Sequence, residues 1–376
     1  MTETETEHWT SAWREPLDSV LYLSLFGVLG TLLRGGLVQQ FSCYSNNTPQ
    51  GTTCNSLDDG ALFVTLAPNM LGCFFVGLFA TPVAAGLAVE GQTTQSQLAC
   101  LRPEHRLQRL SSLHLGLRVG FCGSLTTWAS WNQTMVERIV HGDWARGLIG
   151  YVVGAELAAA SLMLGFHAVH ACHHSAVPAT VRDSEDSVLG DDGVDVAIRE
   201  PPPPPCSTPA PRPADDPHGA WKIEDKLCLA LLLACLAGCI ATVVAAPAAS
   251  SRSICLAALF GPFGVVARWY LAKLNARTAW LPIGTLAANT LACAFDASVA
   301  SAFVADKLGR GQYWGSLLST ALQSGIGGGL STVSTVAAEA SLLMQSGSRH
   351  RGYMYLGITG ALGFGTAAVI YGPATH

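Results

Sequence analysis

The sequence predicts an all-α polytopic membrane protein: two inverted four-helix repeats joined by one linking transmembrane helix, about nine spans in all, with the third helix of each repeat broken. Three observations predict it: a composition poor in charge, apolar runs of bilayer length, and an ordered set of motifs that occurs twice. Of 376 residues, 49% are hydrophobic and only 12% charged, with a mean hydropathy of +0.34. Soluble domains carry about 25% charged residues, so this chain lacks the polar surface that water demands and membrane lipid is its natural solvent. The formal net charge of −5 and the absence of a basic face argue against a nucleic-acid partner. No His-Glu-x-x-His, Gly-x-Ser-x-Gly or phosphate loop is present, so nothing points to an enzyme or to an organic cofactor.

A bilayer-spanning helix needs about 20 apolar residues. Runs of that kind predict spans at 17–41, 60–89, 111–140 and 145–171, then 227–249, then 251–275, 280–306, 312–345 and 352–373. Residues 1–16 form an N-terminal tail whose acidic start lacks the order of a cleaved signal, so span one is expected to act as the signal. The first repeat is 17–171 and the second 251–373, with 227–249 as the linking helix. Residues 172–226 carry Asp183, Glu185, Asp186, Asp191, Asp192 and Asp195 and the run Pro201 to Pro205. Such a segment cannot bury enough apolar surface to fold alone and is expected to be a disordered cytoplasmic linker. The cluster His167, His170, Cys172, His173 and His174 ends a span and enters that linker, which argues against a metal site. Most of the 12 cysteines lie in apolar runs, where Cys behaves as a small hydrophobe. Cys43 and Cys54 are exceptions in a polar loop, either free or paired, next to the acceptor pattern Asn46-Asn47-Thr48.

The repeat is legible in three ordered matches. Gly27-Val-Leu-Gly30-Thr-Leu-Leu-Arg34 matches Gly261-Pro-Phe-Gly264-Val-Val-Ala-Arg268. Leu66-Ala-Pro-Asn69 matches Leu286-Ala-Ala-Asn289. Gly123-Ser-Leu-Thr126-Thr127-Trp128-Ala-Ser130-Trp131 matches Gly328-Gly-Leu-Ser331-Thr332-Val333-Ser334-Thr335-Val336. One span between the halves places an odd number of crossings between equivalent positions, so the second half inserts upside down. Arg102, Arg106, Arg109, Lys222, Lys226, Lys273, Arg277, Arg349 and Arg351 then share the cytoplasmic side, as positive residues should, while Lys307 and Arg310 fall on the other. Loop 42–60 and the C-terminus are extracellular in this layout.

Each matched position carries a polar group that is costly in hydrocarbon. Arg34 and Arg268 must snorkel to an interface or face protein and water. Asn69 and Asn289 must satisfy their amides, either in an interhelical bond or as donors toward an anion. Glycine weakens a helix by about 1 kcal/mol per residue, and Gly120-Phe-Cys-Gly123 and Gly325-Ile-Gly-Gly328 cluster in mid-span ahead of hydroxyl residues. A helix broken there exposes carbonyls for a cation and hydroxyls and N-terminal amides for an anion.

With the Gly-x-x-Gly-x-x-x-Arg motif, the mid-span Asn and Gly-Phe-Cys-Gly-x-Leu-Thr-Thr-aromatic-x-Ser-aromatic, the chain resembles the Fluc/CrcB fluoride channel family. The four-plus-one-plus-four organisation resembles its eukaryotic fused branch, the fluoride exporters. The resemblance implies passive export of fluoride across the plasma membrane, protection against fluoride toxicity, and a monomer equivalent to a dimer of single-repeat units. It also implies a central structural Na+ held by backbone carbonyls of Gly123, Thr126, Gly328 and Ser331. The family's two pore phenylalanines map onto Trp128 and Trp131 in the first half but onto Val333 and Val336 in the second, which offer no ring edge to an anion. Asn69, Asn289, Thr127, Ser130 and Ser334 supply amide and hydroxyl donors for a small, strongly hydrated ion. Glu339 occupies a place where bacterial members often carry Glu, as a pore-mouth group or a solvated helix end; Arg34, Arg268 and Glu339 are therefore expected to be structural or vestibule groups. In the family the last span adds a polar track. Tyr355, Thr359 and Thr366, at spacings of four and seven, share one helical face, whereas Tyr151 and Ser161 do not. The working path is thus expected to combine first-half aromatics with the second-half polar face. A proton-coupled fluoride or small-anion transporter is the competing reading, with membrane acids such as Glu156 as carriers. Asp296 and Arg118 have no family counterpart.

Overall fold

The computed structural model describes residues 3–41, 62–80, 98, 100–101, 105–176, 222–304, 313–345 and 349–375. Cys43, Cys54, Asn46, Lys307, Arg310 and most of the linker lie outside the described residues. The first half runs α1 (Glu3–Phe41), α2 (Leu66–Leu78) and α3 (Ser111–Leu115), which continues through a π-helical stretch, Gly116–Cys122, into the single turn α4 (Gly123–Leu125). Then come α5 (Trp128–Val140) and α6 (Trp144–Ala176). α7 (Ile223–Ala245) precedes the second half: α8 (Ala249–Ala272), α9 (Ile283–Val304), α10 (Tyr313–Leu322), a second π-helical stretch Gln323–Gly327, α11 (Gly328–Leu330), α12 (Ser334–Gln345) and α13 (Arg349–Tyr371).

The described residues are helical and contain no strand. Six helical segments are long and apolar enough to cross a membrane: Leu17–Phe41, Trp144–Ala171, Ile223–Ala245, Ala249–Arg277, Ile283–Phe303 and Arg349–Ala374. The remaining expected spans are shorter: α2 has 13 residues, and 111–140 and 312–345 each divide into two limbs about a break. Hydropathy sums side chains and does not register where the backbone leaves the helix, so it counts a broken span as whole. Helix bounds extend furthest beyond the apolar runs at three places. α1 begins within the expected tail, α6 continues past 171, and α7 starts at Ile223 rather than 227, because polar residues at a helix end still gain backbone hydrogen bonds.

α1 packs against α8, α2 against α6, and α9 against α13; across the halves, α5 meets α9 and α13, and α2 meets α12. α1 and α8 come close through small residues: Gly27 faces Val265, and Gly261 faces Thr31. Gly30 and Gly264 make room for the carbonyls of Phe121 and Ile326, one in each π-helical stretch, so that the first helix of each half lies against its own broken helix. α7 packs on α1 and α8. Only 11% of its most apolar window is buried, which suits a connector whose outer face meets lipid.

Candidate functional site

Both breaks have the backbone that the glycine clusters predict. After α4, Thr126 (φ −93°, ψ 153°) and Thr127 (φ −145°, ψ 122°) are extended before α5 begins. After α11, Ser331 is extended likewise (φ −88°, ψ 161°). Helix ends leave amides and carbonyls without intrahelical partners, and in an apolar interior each must be satisfied by something else.

The two breaks satisfy each other. Thr126 Oγ1 shares hydrogen bonds with Thr332 Oγ1 at 3.2 Å and Ser334 Oγ at 3.1 Å. It also accepts from the backbone amides of Val333 and Ser334, each at 3.3 Å. Reciprocally, Thr127 Oγ1 meets Ser331 Oγ at 3.2 Å, and the Ala129 amide donates to Ser331 Oγ at 3.1 Å. A hydroxyl of each half therefore caps the helix start of the other. Capping is worth about 1 kcal/mol per site, and here it joins two segments more than 200 residues apart. Thr127 Oγ1 and Thr332 Oγ1 complete the caps within their own halves, accepting from the amides of Ser130 and Thr335.

The asparagines hold the breaks from the second helix of each half. The Thr127 amide donates to Asn69 Oδ1 at 2.8 Å while Asn69 Nδ2 donates to the Thr127 carbonyl at 3.2 Å. The Thr332 amide donates to Asn289 Oδ1 at 2.8 Å and Asn289 Nδ2 to the Thr332 carbonyl at 3.1 Å. Both side chains are buried. Of the two alternatives, the structure shows the interhelical hydrogen bond: each amide fixes the second residue of its break, Thr127 or Thr332.

Neither arginine snorkels; both are 3% exposed and cross to the other half. Arg34 Nη1 donates to the Ser124 carbonyl at 2.7 Å and its Nη2 reaches the Ser324 carbonyl. Arg268 Nη2 donates to the Val119 carbonyl at 2.7 Å, the matching position in the first half. Its Nη1, however, bridges Gly123 O at 2.8 Å and Ser331 O at 2.9 Å. A Cβ on Gly123 would strike the Arg268 guanidinium, and one on Gly328 would strike that of Arg34. Glycine is needed at these two positions for the cation that lies on it as well as for the break.

The aromatic pair sits beside this knot. Trp128 and Trp131 meet edge to face (centroids 5.0 Å, 72°), and Trp131 stacks on Phe63 (5.5 Å, 6°). Both indole Nε1 atoms are buried with no hydrogen-bond partner. Trp128 Nε1 abuts Gly363, on the same face of α13 as Tyr355, Thr359 and Thr366. An open groove of about 920 Å³ runs between the halves there, lined by Trp128, Trp131, Tyr151, Val333, Val336 and Phe364 among others. The first-half tryptophans and the valines that replace their counterparts thus share one cavity.

The Tyr355 and Thr359 hydroxyls of the polar track have partners within the protein. The Tyr355 hydroxyl donates to Glu339 Oε2 at 2.6 Å, and Thr359 donates to the Tyr355 carbonyl at 2.8 Å; Thr366 is half-buried on the same face. Glu339 is no solvated helix end, since it also accepts from Thr285 at 2.7 Å and Asn275 at 3.0 Å. Asp296, which the motifs left unassigned, is 1% exposed and accepts from Ser130 at 3.5 Å. It lies against Gly327 and interacts electrostatically with Arg34. A lone acid in an apolar run was the signal available for it. Glu156 is exposed and Arg118 half-buried, both apart from these contacts.

A sodium ion on the carbonyls of Gly123, Thr126, Gly328 and Ser331 does not fit this arrangement, because two of the four acceptors already take Arg268 Nη1.

The family described as "CrcB-like protein, Camphor Resistance (CrcB)" matches residues 21–171 and 255–373. Curated relatives include "Fluoride-specific ion channel FluC 2" of Synechococcus sp. (strain CC9605), 50% identical over 48 residues, or 12% of this chain and 36% of the relative. "Fluoride-specific ion channel FluC" of Marinobacter nauticus is 29% identical over 154 residues, 40% of this chain and 96% of the relative. That of Pseudomonas aeruginosa (strain UCBPP-PA14) is 38% identical over 97 residues, 26% of this chain and 72% of the relative. The chain spans about a third of the length of the first of these relatives. No solved structure matches the chain. The two matched stretches take in both glycine breaks, both asparagines and both arginines, and the chain belongs to the CrcB family.

Proposed function

We propose that the chain is a fluoride-selective channel that lets the ion leave the cytoplasm passively. One observation carries this reading: Trp128 and Trp131, which line the groove between the halves, each hold a buried indole N–H with no acceptor. A buried donor without a partner costs about 1–3 kcal/mol, a cost that an entering anion removes. Fluoride gives up its hydration only to comparable donors, and an N–H with the positive edge of a ring supplies them. The helix starts at α5 and α12 add positive partial charge nearby, and Arg34 and Arg268 add full charges that draw anions inward. The relatives' names, which specify fluoride, support the choice of ion. The proton-coupled alternative gains nothing from Glu156, which is exposed and does not line the groove.

The chain is further read as the fused two-repeat form of the family, nine spans with the second repeat inverted, working as a monomer in the plasma membrane. The reciprocal caps support that reading, since the Thr126–Thr332 contact and the Ser334 amide on Thr126 have counterparts with the halves exchanged, Thr127–Ser331 and the Ala129 amide on Ser331. Purified protein in liposomes is expected to release fluoride at a rate set by membrane voltage and unchanged by an imposed proton gradient. Flux that follows the proton gradient would replace the channel by a coupled transporter. For the layout, a membrane-impermeant thiol reagent is expected to spare Cys206 in intact cells and to label it after permeabilisation; labelling in intact cells would reverse the orientation.

A further inference from the structure

The short helices α4 and α11 both end at the breaks where the two halves meet, and their carbonyls carry the negative partial charge of helix C-termini. Converging acceptors of this kind call for a cation. Arg34 and Arg268 answer differently. Both reach a π-helical carbonyl of the other half, Ser324 and Val119. Arg34 then turns to Ser124 O and has Asp296 as an electrostatic partner. Arg268 instead places one nitrogen between Gly123 O of the first break and Ser331 O of the second. Among the described residues no carboxylate bonds to it, so its charge is offset by backbone dipoles alone.

We infer that the guanidinium of Arg268 is itself the central cation of this protein, taking the carbonyls of Gly123 and Ser331 in place of a sodium ion. The first-half glycine serves this: a side chain on Gly123 would occupy the guanidinium's seat. Fusion of the two repeats makes the substitution feasible. In an assembly of two identical units both arginines must behave alike, whereas one chain with two different halves can commit one arginine to the centre and the other to Asp296, a residue whose first-half counterpart by the asparagine offset is Val76. The inference concerns how the breaks are held together, and its test is read without any anion flux, so it stands or falls separately from the fluoride reading.

The test is thermal unfolding of the purified full chain in detergent, titrated with sodium chloride against potassium chloride and N-methylglucamine chloride at constant ionic strength. A cation that binds only the folded protein raises the melting temperature with its concentration and then saturates. The wild-type chain is expected to melt at the same temperature in all three salts. Arg268→Met keeps the stem but removes the donors, and is expected to melt lower and to recover several degrees in sodium specifically. A saturable, sodium-specific rise in the wild-type protein would overturn the inference, and so would a folded Arg268→Met variant indifferent to sodium. Should that variant not fold, the wild-type titration decides alone.

Discussion

Fluoride efflux from proteoliposomes is expected to fall to background when Gly123 or Gly328 is replaced by leucine, and by about tenfold or more with alanine. The physical cause is the same at both positions: the first side-chain carbon lands on a guanidinium of the opposite half. Overpacking of this kind costs about 1–3 kcal/mol per site, and each 1.4 kcal/mol is about tenfold in an equilibrium or a rate. The arginine cannot step aside without abandoning two or three carbonyls that have no water to turn to. Gly357 and Gly365 are the controls, because nothing lies within 4 Å of a Cβ built on either. Alanine at those sites should leave efflux near wild type and raise helix stability slightly. Equal tolerance at all four positions would remove the guanidinium seats from the account.

The second large effect is an asymmetry between halves. Replacing Trp128 and Trp131 together with alanine is expected to abolish fluoride resistance in cells lacking their own exporter, while Val333→Ala with Val336→Ala leaves it near wild type. Truncating a buried Trp costs about 3–5 kcal/mol, so loss in the alanine pair alone would not separate transport from folding. Trp128→Phe with Trp131→Phe resolves this. It retains most of the buried area and a ring edge but removes both N–H donors, and is expected to fold normally while conducting measurably less. Full activity in the phenylalanine pair would shift the role from the N–H to the ring edge. Equal losses in the tryptophan and valine pairs would end the idea of unequal paths.

Much of this was legible in the sequence because the membrane enforces simple rules. Apolar length reported where helices lie, and paired glycines in mid-span reported where they break, since backbone leaves the helix in hydrocarbon only where protein receives it. The duplicated arginines, asparagines and hydroxyl pairs stood out as candidate site residues for the same reason, being too costly to keep without partners. The spacing of Tyr355 and Thr359 correctly put them on one face, but a helical wheel does not say where a hydroxyl proton goes. Glu339, Thr285 and Asn275 come from three segments distant in sequence, and only their convergence shows that Tyr355 donates to a carboxylate.

The sequence by itself determined the membrane class, the two-fold repetition, the breaks and the inequality of the aromatic positions, all of which depend on residue type and local order. Only the tertiary structure decided who partners whom. That Thr126 caps Ser334 and Ser331 caps Ala129, that Arg34 rests on Gly328 and Arg268 on Gly123, and that Asp296 joins Ser130 and Arg34 are facts of crossing between halves. A hydrogen bond depends on ångström-scale placement of two groups, and for groups 200 residues apart that placement is set by how the helices pack.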